Sequence, residues 1–380
     1  MIYLDHNATT PPAPQVLAAM LPVLSDLWAN SSSQHGPGQE AKRALAAARA
    51  SVARVLGCKA TEVIFTSGAT EANHLAVRGL LAKAPPERQR VIFSSVEHAG
   101  HLKLARALAE NGISVDFLPV HADGRLDLDA AQGLIGPDVA LVSLMAANNE
   151  TGALMPIAEV AELTKAAGAL LHVDATQFIG KQPFQFSSFG ADAVSFSGHK
   201  LNGPKGVGAL LLRHGTPLAA QTLGSQERAR RGGTENLAAI VGLAAALELL
   251  GDAAAISQEA ARIAHLRDEL EAGLIRALPA TYVWCQNVPR LPGTSYLRFG
   301  QLSVDVVLQR LERLGVAASS GAACSSGGSE PSHVLIAMGV PADEALAAVR
   351  LSLGRTTTAE EISSLLTRLP PLLQEMLTAP

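Results

Sequence analysis

Short apolar runs alternate with longer amphipathic segments along the first half of the chain. Residues 38–56 carry apolar side chains every three or four positions, which is the spacing of an amphipathic helix. The apolar run "EVIFTS" has strand length, and "TEANHLAVRGLLAK" returns to the helical spacing. Further strand-length runs are "RVIFSS", "ISVDFLPV", "DVALVSLM" and "ALLHVDA". This repeated order predicts an α/β fold with a mostly parallel sheet flanked by helices.

The second half of the chain has a different pattern. A helical pattern begins after Thr234 and runs to about Leu278. The strand-like runs "YVWC", "SYLRF" and "AVRLSL" follow it. This change predicts a smaller α+β domain that begins near Gly251.

Composition and charge narrow the class of protein. The 380 residues are 48% apolar and carry a formal charge of -4, which argues against a nucleic-acid binder with a basic face. We find neither a secretory signal pattern nor an apolar run of bilayer length. The three cysteines, Cys58, Cys285 and Cys324, are far apart and odd in number, so a disulfide framework is not predicted. We expect a cytoplasmic protein that contacts neither nucleic acid nor a membrane directly.

Polar residues follow five of the predicted strands. In parallel sheets ligands bind at the carboxyl ends of the strands, so these loops are expected to converge on one crevice. The loops are residues 67–70, 97–98, 148–150, 174–177 and 197–200.

A lysine at the end of a strand suggests a particular chemistry for that crevice. Lys200 follows a buried run, and a lysine beside buried surface loses its proton more easily than one in water. A neutral amine can form a Schiff base with an aldehyde cofactor such as pyridoxal 5'-phosphate (PLP). Asp174 could pair with the ring nitrogen, the turn before Thr70 could bind the phosphate at a helix N-terminus, and His98 could stack on the ring.

Each of these residues also has an ordinary structural interpretation. Lys200 alone is more often a surface lysine, and Asp174 a helix cap or a buried hydrogen-bond partner. The segment before Thr70 could be a tight turn with a capping threonine. His98 and His101 have the spacing of a metal pair, but two histidines alone are a weak signal, and we predict no metal site.

Ten ordered motifs together resemble one family along almost the whole chain. They are "YLDHNATT", "IFTSGATEANHLA", "SSVEHAG", "LVSLMAANNETGALMPI", "LLHVDATQFIGK", "VSFSGHKLNGPKGVGAL", "QERARRGGTEN", "SSGAACSSG", "EPSHVLIAMG" and "VRLSLGR". The chain resembles the cysteine desulfurases of the NifS/IscS type, in the class V aminotransferase group of PLP enzymes. One departure is Asn202, which stands where that family usually has an aromatic residue or a histidine.

The resemblance implies a role for each candidate residue. Lys200 would be the Schiff-base lysine and Asp174 the partner of the ring nitrogen, while Asn149 and Arg350 would hold the substrate carboxylate. Further cofactor contacts would come from Ala69, Thr70, His98, Gln177, Ser197, His199 and Thr234.

Three of those further contacts have defined targets in the family. Gln177 would contact the ring hydroxyl and Thr70 the phosphate. Thr234 would reach the phosphate bound by the other subunit of a homodimer.

The resemblance also implies PLP fold type I and its division into domains. The large PLP-binding domain would cover residues 12–250. Residues 1–11 and 251–380 would form the small domain, which would carry the catalytic-cysteine loop at about 318–332.

Cys324 is the thiol that this interpretation assigns to catalysis. It lies in "ASSGAACSSGGSEPS", a small, polar segment with little apolar area to bury, whereas Cys58 and Cys285 lie beside apolar runs. Acting as a thiolate, Cys324 would take sulfur from L-cysteine, giving L-alanine and a persulfide for an acceptor protein such as an iron–sulfur scaffold. Lys200 would remove the α-proton, and His98 would shuttle protons.

Three other functions remain open at the level of the sequence. A selenocysteine lyase or another class V aminotransferase would keep the PLP and lose the transfer of cysteine sulfur. A nucleotide-binding protein without catalytic activity would use a similar sheet but would lack the cofactor.

Overall fold

A mixed, mostly parallel seven-stranded sheet forms the centre of the molecule. The computed structural model describes residues 1–321 and 330–377. Its strands are β1 (Ile2–Tyr3), β2 (Val63–Thr66), β3 (Arg90–Ser94), β4 (Ser114–Leu118), β5 (Val139–Met145), β6 (Leu170–Asp174), β7 (Ala193–Ser197), β8 (Gly208–Leu212), β9 (Thr281–Trp284), β10 (Thr294–Phe299), β11 (Val316–Ala317) and β12 (Val349–Ser352). The large sheet has the order β2-β8-β7-β6-β5-β3-β4, and only β8 runs antiparallel to its neighbours. The predicted α/β fold is confirmed.

Helices cover both faces of this sheet and pack along the rest of the chain. They are α1 (Pro14–Ser25), α2 (Gly36–Leu56), α3 (Ala69–Leu81), α4 (Ala99–Glu110), α5 (Leu128–Leu134), α6 (Ile157–Ala167), α7 (Gln226–Ala229), α8 (Leu237–Glu248), α9 (Ala253–Ala277), α10 (Val304–Arg313), α11 (His333–Ala337), α12 (Ala342–Leu346) and α13 (Ala359–Leu377). The central strand β5 is buried along its whole length, because apolar side chains pack against both of its faces.

Local capping explains where α2 begins and ends. The helix starts two residues before the predicted position, because the His35 ring nitrogen accepts a hydrogen bond from the N–H of Gly38 at 3.2 Å. It ends at Gly57, whose φ of 65° lies in the left-handed region that stops a helix.

The stretch predicted to be helical from after Thr234 to about Leu278 is helical along most of its length. It is two helices, α8 and α9, which meet at an angle of 80°. Gly251 breaks the chain with a φ of 76°, and the Asp252 carboxylate then caps α9 by accepting from the N–H of Ala255 at 2.9 Å. Among the described residues, no single helix is long and apolar enough to cross a membrane. The bent pair of α8 and α9 would be long and apolar enough, judged by length and composition only.

Two smaller sheets bring the N-terminal segment against the second half of the chain. Strands β9, β10 and β12 form an antiparallel sheet, while β1 pairs in parallel with β11. A bridge between Asp5 and Ser352 continues this contact. Asn7 and Ala8, the next residues of the N-terminal segment, therefore reach the loop that follows β7 of the large sheet. The domain boundaries themselves stay a prediction.

Candidate active site

One cleft of about 640 Å³ lies at the carboxyl ends of the large sheet's strands. It extends across the loops that follow β2, β3, β5, β6 and β7, and it includes the point between β3 and β5 where the chain order reverses, a usual ligand position in open α/β sheets. The predicted site residues that line it are Ala69, Thr70, His98, Asn149, Asp174, Gln177, Ser197, His199, Lys200 and Arg350. The structure therefore brings together loops that are far apart in the sequence.

Two predicted site residues are not placed in this cleft. Thr234 is exposed in the segment between β8 and α8 and does not line it. Cys324 lies outside the described residues, although Gly321, three residues before it in the sequence, lines the cleft. Arg231, close to Thr234, ties this segment to the cleft through an ion pair of 2.7 Å with Glu71.

The Asp174 carboxylate is buried at the base of the cleft, with 7% of the residue exposed. Its two oxygens accept hydrogen bonds from the Asn73 side chain at 2.7 Å and the Thr176 N–H at 2.9 Å. Burial raises the pKa of Asp174, but the hydrogen bonds from Thr176 and Asn73 outweigh it and hold the pKa below its usual value. Both of these donors are neutral groups.

The Lys200 amine is held by the N-terminal segment. Nζ donates to the main-chain carbonyl of Asn7 at 2.5 Å and to that of Ala8 at 2.8 Å. These carbonyls lie there because β1 pairs with β11 and Asp5 pairs with Ser352. Lys200 follows β7 of the large sheet, and its amine is therefore positioned by the N-terminal segment, which pairs with strands of the two smaller sheets.

A second lysine lies in the same region, and sequence reasoning missed it. The Lys181 amine donates to the side-chain oxygens of Gln177, at 2.5 Å, and Asn7, at 2.9 Å. Burial lowers the pKa of Lys181 well below its usual range, and the charges of Lys200 and Arg350 lower it further. Its place in the motif "LLHVDATQFIGK", four residues after Gln177, was the available signal.

The N-terminus of α3 forms the opposite wall of the cleft. Ala69 and Thr70 begin this 13-residue helix, whose first N–H groups have no partner within the helix. Strand β8 packs directly beneath the turn, since a Cβ on Gly208 would lie 2.8 Å from the Gly68 Cα. This wall therefore presents backbone N–H groups and a hydroxyl to an anionic group.

His98 lines the cleft from the start of α4. Its Nδ1 accepts a hydrogen bond from the N–H of Gly100 at 3.2 Å, which caps the helix. In the neutral ring the proton therefore lies on Nε2.

Arg350 approaches the cleft from β12. Its guanidinium donates to the Asn149 carbonyl at 3.0 Å and forms an ion pair of 2.8 Å with Asp5. Only 3% of Arg350 is exposed, and its Nε has no partner in the described residues. A planar donor group with an unpaired N–H suits the binding of a carboxylate.

The residues around Lys200 fix the turn that carries it. His199 contacts the Thr9 hydroxyl at 3.1 Å, and burial, with the charges of Lys200 and Lys205, lowers the pKa of His199 to about 4. Asn202 has a φ of 60° and donates to Pro11, so the departure from the family pattern places an asparagine in a left-handed position that asparagine tolerates.

A buried hydrogen-bond network lies beneath the cleft. His101 contacts Glu97 at 3.2 Å and Ser143 at 3.3 Å, and Ser143 contacts His172 at 2.7 Å. His172 continues the chain to Ser195 at 2.8 Å. His101 thus turns into the sheet, away from the metal-pair arrangement considered with His98. Sequence reasoning missed His172, although strand alternation places it on the same face of β6 as Asp174.

Comparisons with known proteins give one consistent family. The model of the aminotransferase class-V family matches residues 2–365. A cysteine desulfurase of Cereibacter sphaeroides is 46% identical, over 99% of this chain and 96% of its own length. The solved structure of a NifS-like protein has a TM-score of 0.91 and 34% identity, covering 98% of this chain and 99% of its own. That of SspA in complex with cysteine has a TM-score of 0.82 and 31% identity, covering 94% and 100%.

Proposed function

The chain belongs to the class V aminotransferase family of PLP-dependent enzymes, and we propose that it is a cysteine desulfurase that binds pyridoxal 5'-phosphate. It takes sulfur from L-cysteine and releases L-alanine. The observation that carries this proposal is the convergence of Lys200 and Asp174 on one cleft. The nearly full-length similarity to cysteine desulfurases supports it.

The residues of the cleft fit PLP. Asp174 is a buried carboxylate whose neutral hydrogen-bond donors keep its pKa low, so it suits a protonated pyridine nitrogen. The N-terminus of α3, with Ala69 and Thr70, suits the phosphate. The Gln177 side chain, 5% exposed, and the amine of Lys200 lie in the same cleft for the ring oxygen and the aldehyde carbon.

The chain's own residues then perform defined tasks. When bound, PLP supplies an electron sink conjugated to the substrate's α-carbon. Asp174 keeps a negative charge at the ring nitrogen, and Lys200 accepts the α-proton. Arg350 and Asn149 orient the substrate carboxylate, and His98 moves protons through Nε2.

The sulfur step uses Cys324. Its thiolate attacks the sulfur of L-cysteine, and an S–S bond forms while the Cβ–S bond of the substrate breaks. The electron pair of the broken bond remains on Cβ, which takes a proton and becomes the methyl group of alanine. The sulfur ends at the oxidation level of a persulfide, so the reaction needs no external oxidant.

Ser197 and His199 line the cleft beside Lys200 and help to position its turn.

The active unit in this proposal is a homodimer. Large apolar side chains of α1 and the segment after it lie exposed: Leu17 54%, Leu21 65%, Leu24 62% and Trp28 79%. Such a surface is typical of a buried interface. Thr234, exposed outside its own cleft, would then contact the phosphate in the other subunit's cleft. The family resemblance is also the basis for three further proposals: the division of the protein into a large and a small domain, its cytoplasmic location, and the transfer of the persulfide sulfur to an acceptor protein.

The proposal is tested by Cys324→Ala. We expect the variant to bind PLP with the colour of the wild type and to form almost no alanine from L-cysteine. Cys58→Ala is the matched control, because burial, with the charge of Glu62, raises the pKa of the Cys58 thiol to about 12 and leaves it unreactive as a nucleophile. Alanine formation is measured with L-cysteine and, separately, with L-selenocysteine.

Unchanged alanine formation by Cys324→Ala would exclude the persulfide step. If the wild type acts on selenocysteine alone, a selenocysteine lyase is the correct assignment. Amino transfer between an amino acid and a keto acid, without release of sulfur, would identify another class V aminotransferase.

A further inference from the structure

Lys181 lies directly behind the base of the cleft and has no role in the chemistry described above. It belongs to the turn after β6, and the residue as a whole is partly exposed, although its amine is enclosed. The two groups that its amine contacts are the side-chain amides of Gln177 and Asn7. Gln177 lines the cleft, so Lys181 acts on the site through another residue.

The contacts of Lys181 determine how both amides are oriented. A lysine amine donates to these amides, so the atoms it contacts in Gln177 and Asn7 must be their oxygens. The Asn7 nitrogen then donates to the Asn149 carbonyl at 3.2 Å and to the Thr294 hydroxyl at 2.9 Å. Both of these acceptors are consistent with the assigned orientation of the Asn7 amide.

The same logic fixes Gln177 as a donor toward the cleft. Its oxygen faces Lys181, and its nitrogen donates to the main-chain carbonyl of Asn7 at 2.9 Å. An amide nitrogen has two N–H bonds. Within the described residues, the Asn7 carbonyl takes one of them, which leaves the other for a group in the cleft.

We propose that Lys181 is a positioning residue that holds the Gln177 amide with its N–H toward the ring oxygen of the cofactor. This inference rests on the proposed function, because it needs PLP in the cleft. Without Lys181 only the bond to the Asn7 carbonyl holds this orientation, so a larger fraction of the amides rotates by 180° and presents its oxygen instead. Two oxygens would then face each other, which disfavours the ionised ring hydroxyl and weakens binding of the cofactor.

The electrostatic surroundings of Lys181 agree with this role. Its pKa is lowered by burial and by Lys200 and Arg350, which favours the neutral amine. A neutral amine retains two N–H bonds, one for each amide oxygen. It adds no positive charge beside Lys200 and Arg350, so Lys181 orients Gln177 without competing with the substrate's own cationic partners.

The first experiment compares Lys181→Met with the wild type in titrations with pyridoxal 5'-phosphate in the absence of cysteine. Methionine keeps the length of the side chain and removes the donors. We expect the dissociation constant of the cofactor to rise about tenfold, which corresponds to the loss of one hydrogen bond. We also expect the absorption band to move toward shorter wavelength, as the ring oxygen becomes protonated. Lys165→Met, on the exposed face of α6, is the matched control.

A double-mutant cycle separates positioning from general support of the fold. Lys181→Met is combined with Gln177→Ala, and urea unfolding of each apo protein checks that it folds. If Lys181 acts through Gln177, it changes neither the band nor the dissociation constant further once Gln177 is absent. Additive effects would overturn the inference, because they would show that Lys181 acts independently of Gln177.

A second variant keeps the test decisive if Lys181→Met folds poorly. Gln177→Glu preserves the shape and the contact with Lys181 but replaces the donor by an acceptor. We expect it to reproduce the shifted band and the weaker binding. A wild-type band in either folded variant would overturn the inference alone, whereas a wild-type protein that forms no band at all would overturn the proposed function as well.

Discussion

The base and the wall of the cleft are built in different ways. The cleft base is defined here as Asp174, Gln177 and Asn7, with Lys181 behind it, and the cleft wall as residues 67–70. At the base, side chains are held by hydrogen bonds within the chain, such as that from Asn73 to Asp174 at 2.7 Å. At the wall, Thr70 is exposed, and the first N–H groups of α3 have no hydrogen-bond partner within the helix.

This difference separates the tasks of chemistry and anchoring. Charge and hydrogen-bond direction at the cleft base are set before any ligand arrives, which is how a site stabilises a reaction without reorganising. The cleft wall is completed by the ligand and, in the proposed dimer, by the other subunit. Changes at the base are therefore expected to affect catalysis, and changes at the wall to affect affinity.

The largest effect is expected from removing the charge of the cleft base. Asp174→Asn keeps the size of the side chain but loses the carboxylate that the ring nitrogen needs. We expect kcat for alanine formation to fall about 10²- to 10³-fold at saturating cofactor. Asp129→Asn, exposed in the first turn of α5, is the control. A kcat within twofold of the wild type would show that the base does not set the chemistry.

The next effect concerns pH and a histidine behind the cleft base. His6 is 1% exposed, and burial lowers its pKa to about 4 from 6.5. The unfolded chain therefore binds this proton more readily, so the stability is present above pH 6.5 and is lost as the pH falls toward 4. We expect the apo wild type to lose about 2 kcal/mol more unfolding free energy between pH 7 and pH 5 than His6→Phe does.

Urea unfolding at the two pH values measures this difference. The comparison uses the change with pH, so a general loss of stability in His6→Phe does not affect it. Equal losses in the two proteins would contradict the depressed pKa of His6.

The smallest effect is expected at the cleft wall. Thr70→Val removes one hydroxyl and keeps the shape of the side chain. We expect the dissociation constant of PLP to rise up to about tenfold while kcat at saturating cofactor stays unchanged. Thr216→Val, outside the cleft, is the control. A fall in kcat at saturation would show that the wall contributes to the chemistry and would remove the distinction from the base.

Much of this site could be predicted because it follows strand order and local motifs. Asp174 and Lys200 each follow an apolar run, so the rule that ligands bind at carboxyl strand ends already placed them together. Lys181 and Asn7 were missed. Both lie inside the quoted motifs, but nothing local shows that their side chains meet, because their contact joins positions 174 residues apart. The predicted domain boundary near Gly251 coincides with the break between α8 and α9, but the pattern alone did not separate the two helices, because a single glycine is also tolerated inside a helix.

The sequence by itself determined the types of elements, the mostly parallel sheet and the loops that carry the reactive side chains. Periodicity and turn residues act over a few positions, and they encode this information locally. Only the tertiary structure decided that the N-terminal segment supports Lys200, that Asp174 is buried with Asn73 as a donor, and that Lys181 contacts Gln177. These features depend on contacts between distant segments and on burial, and both exist only once the sheets have packed together.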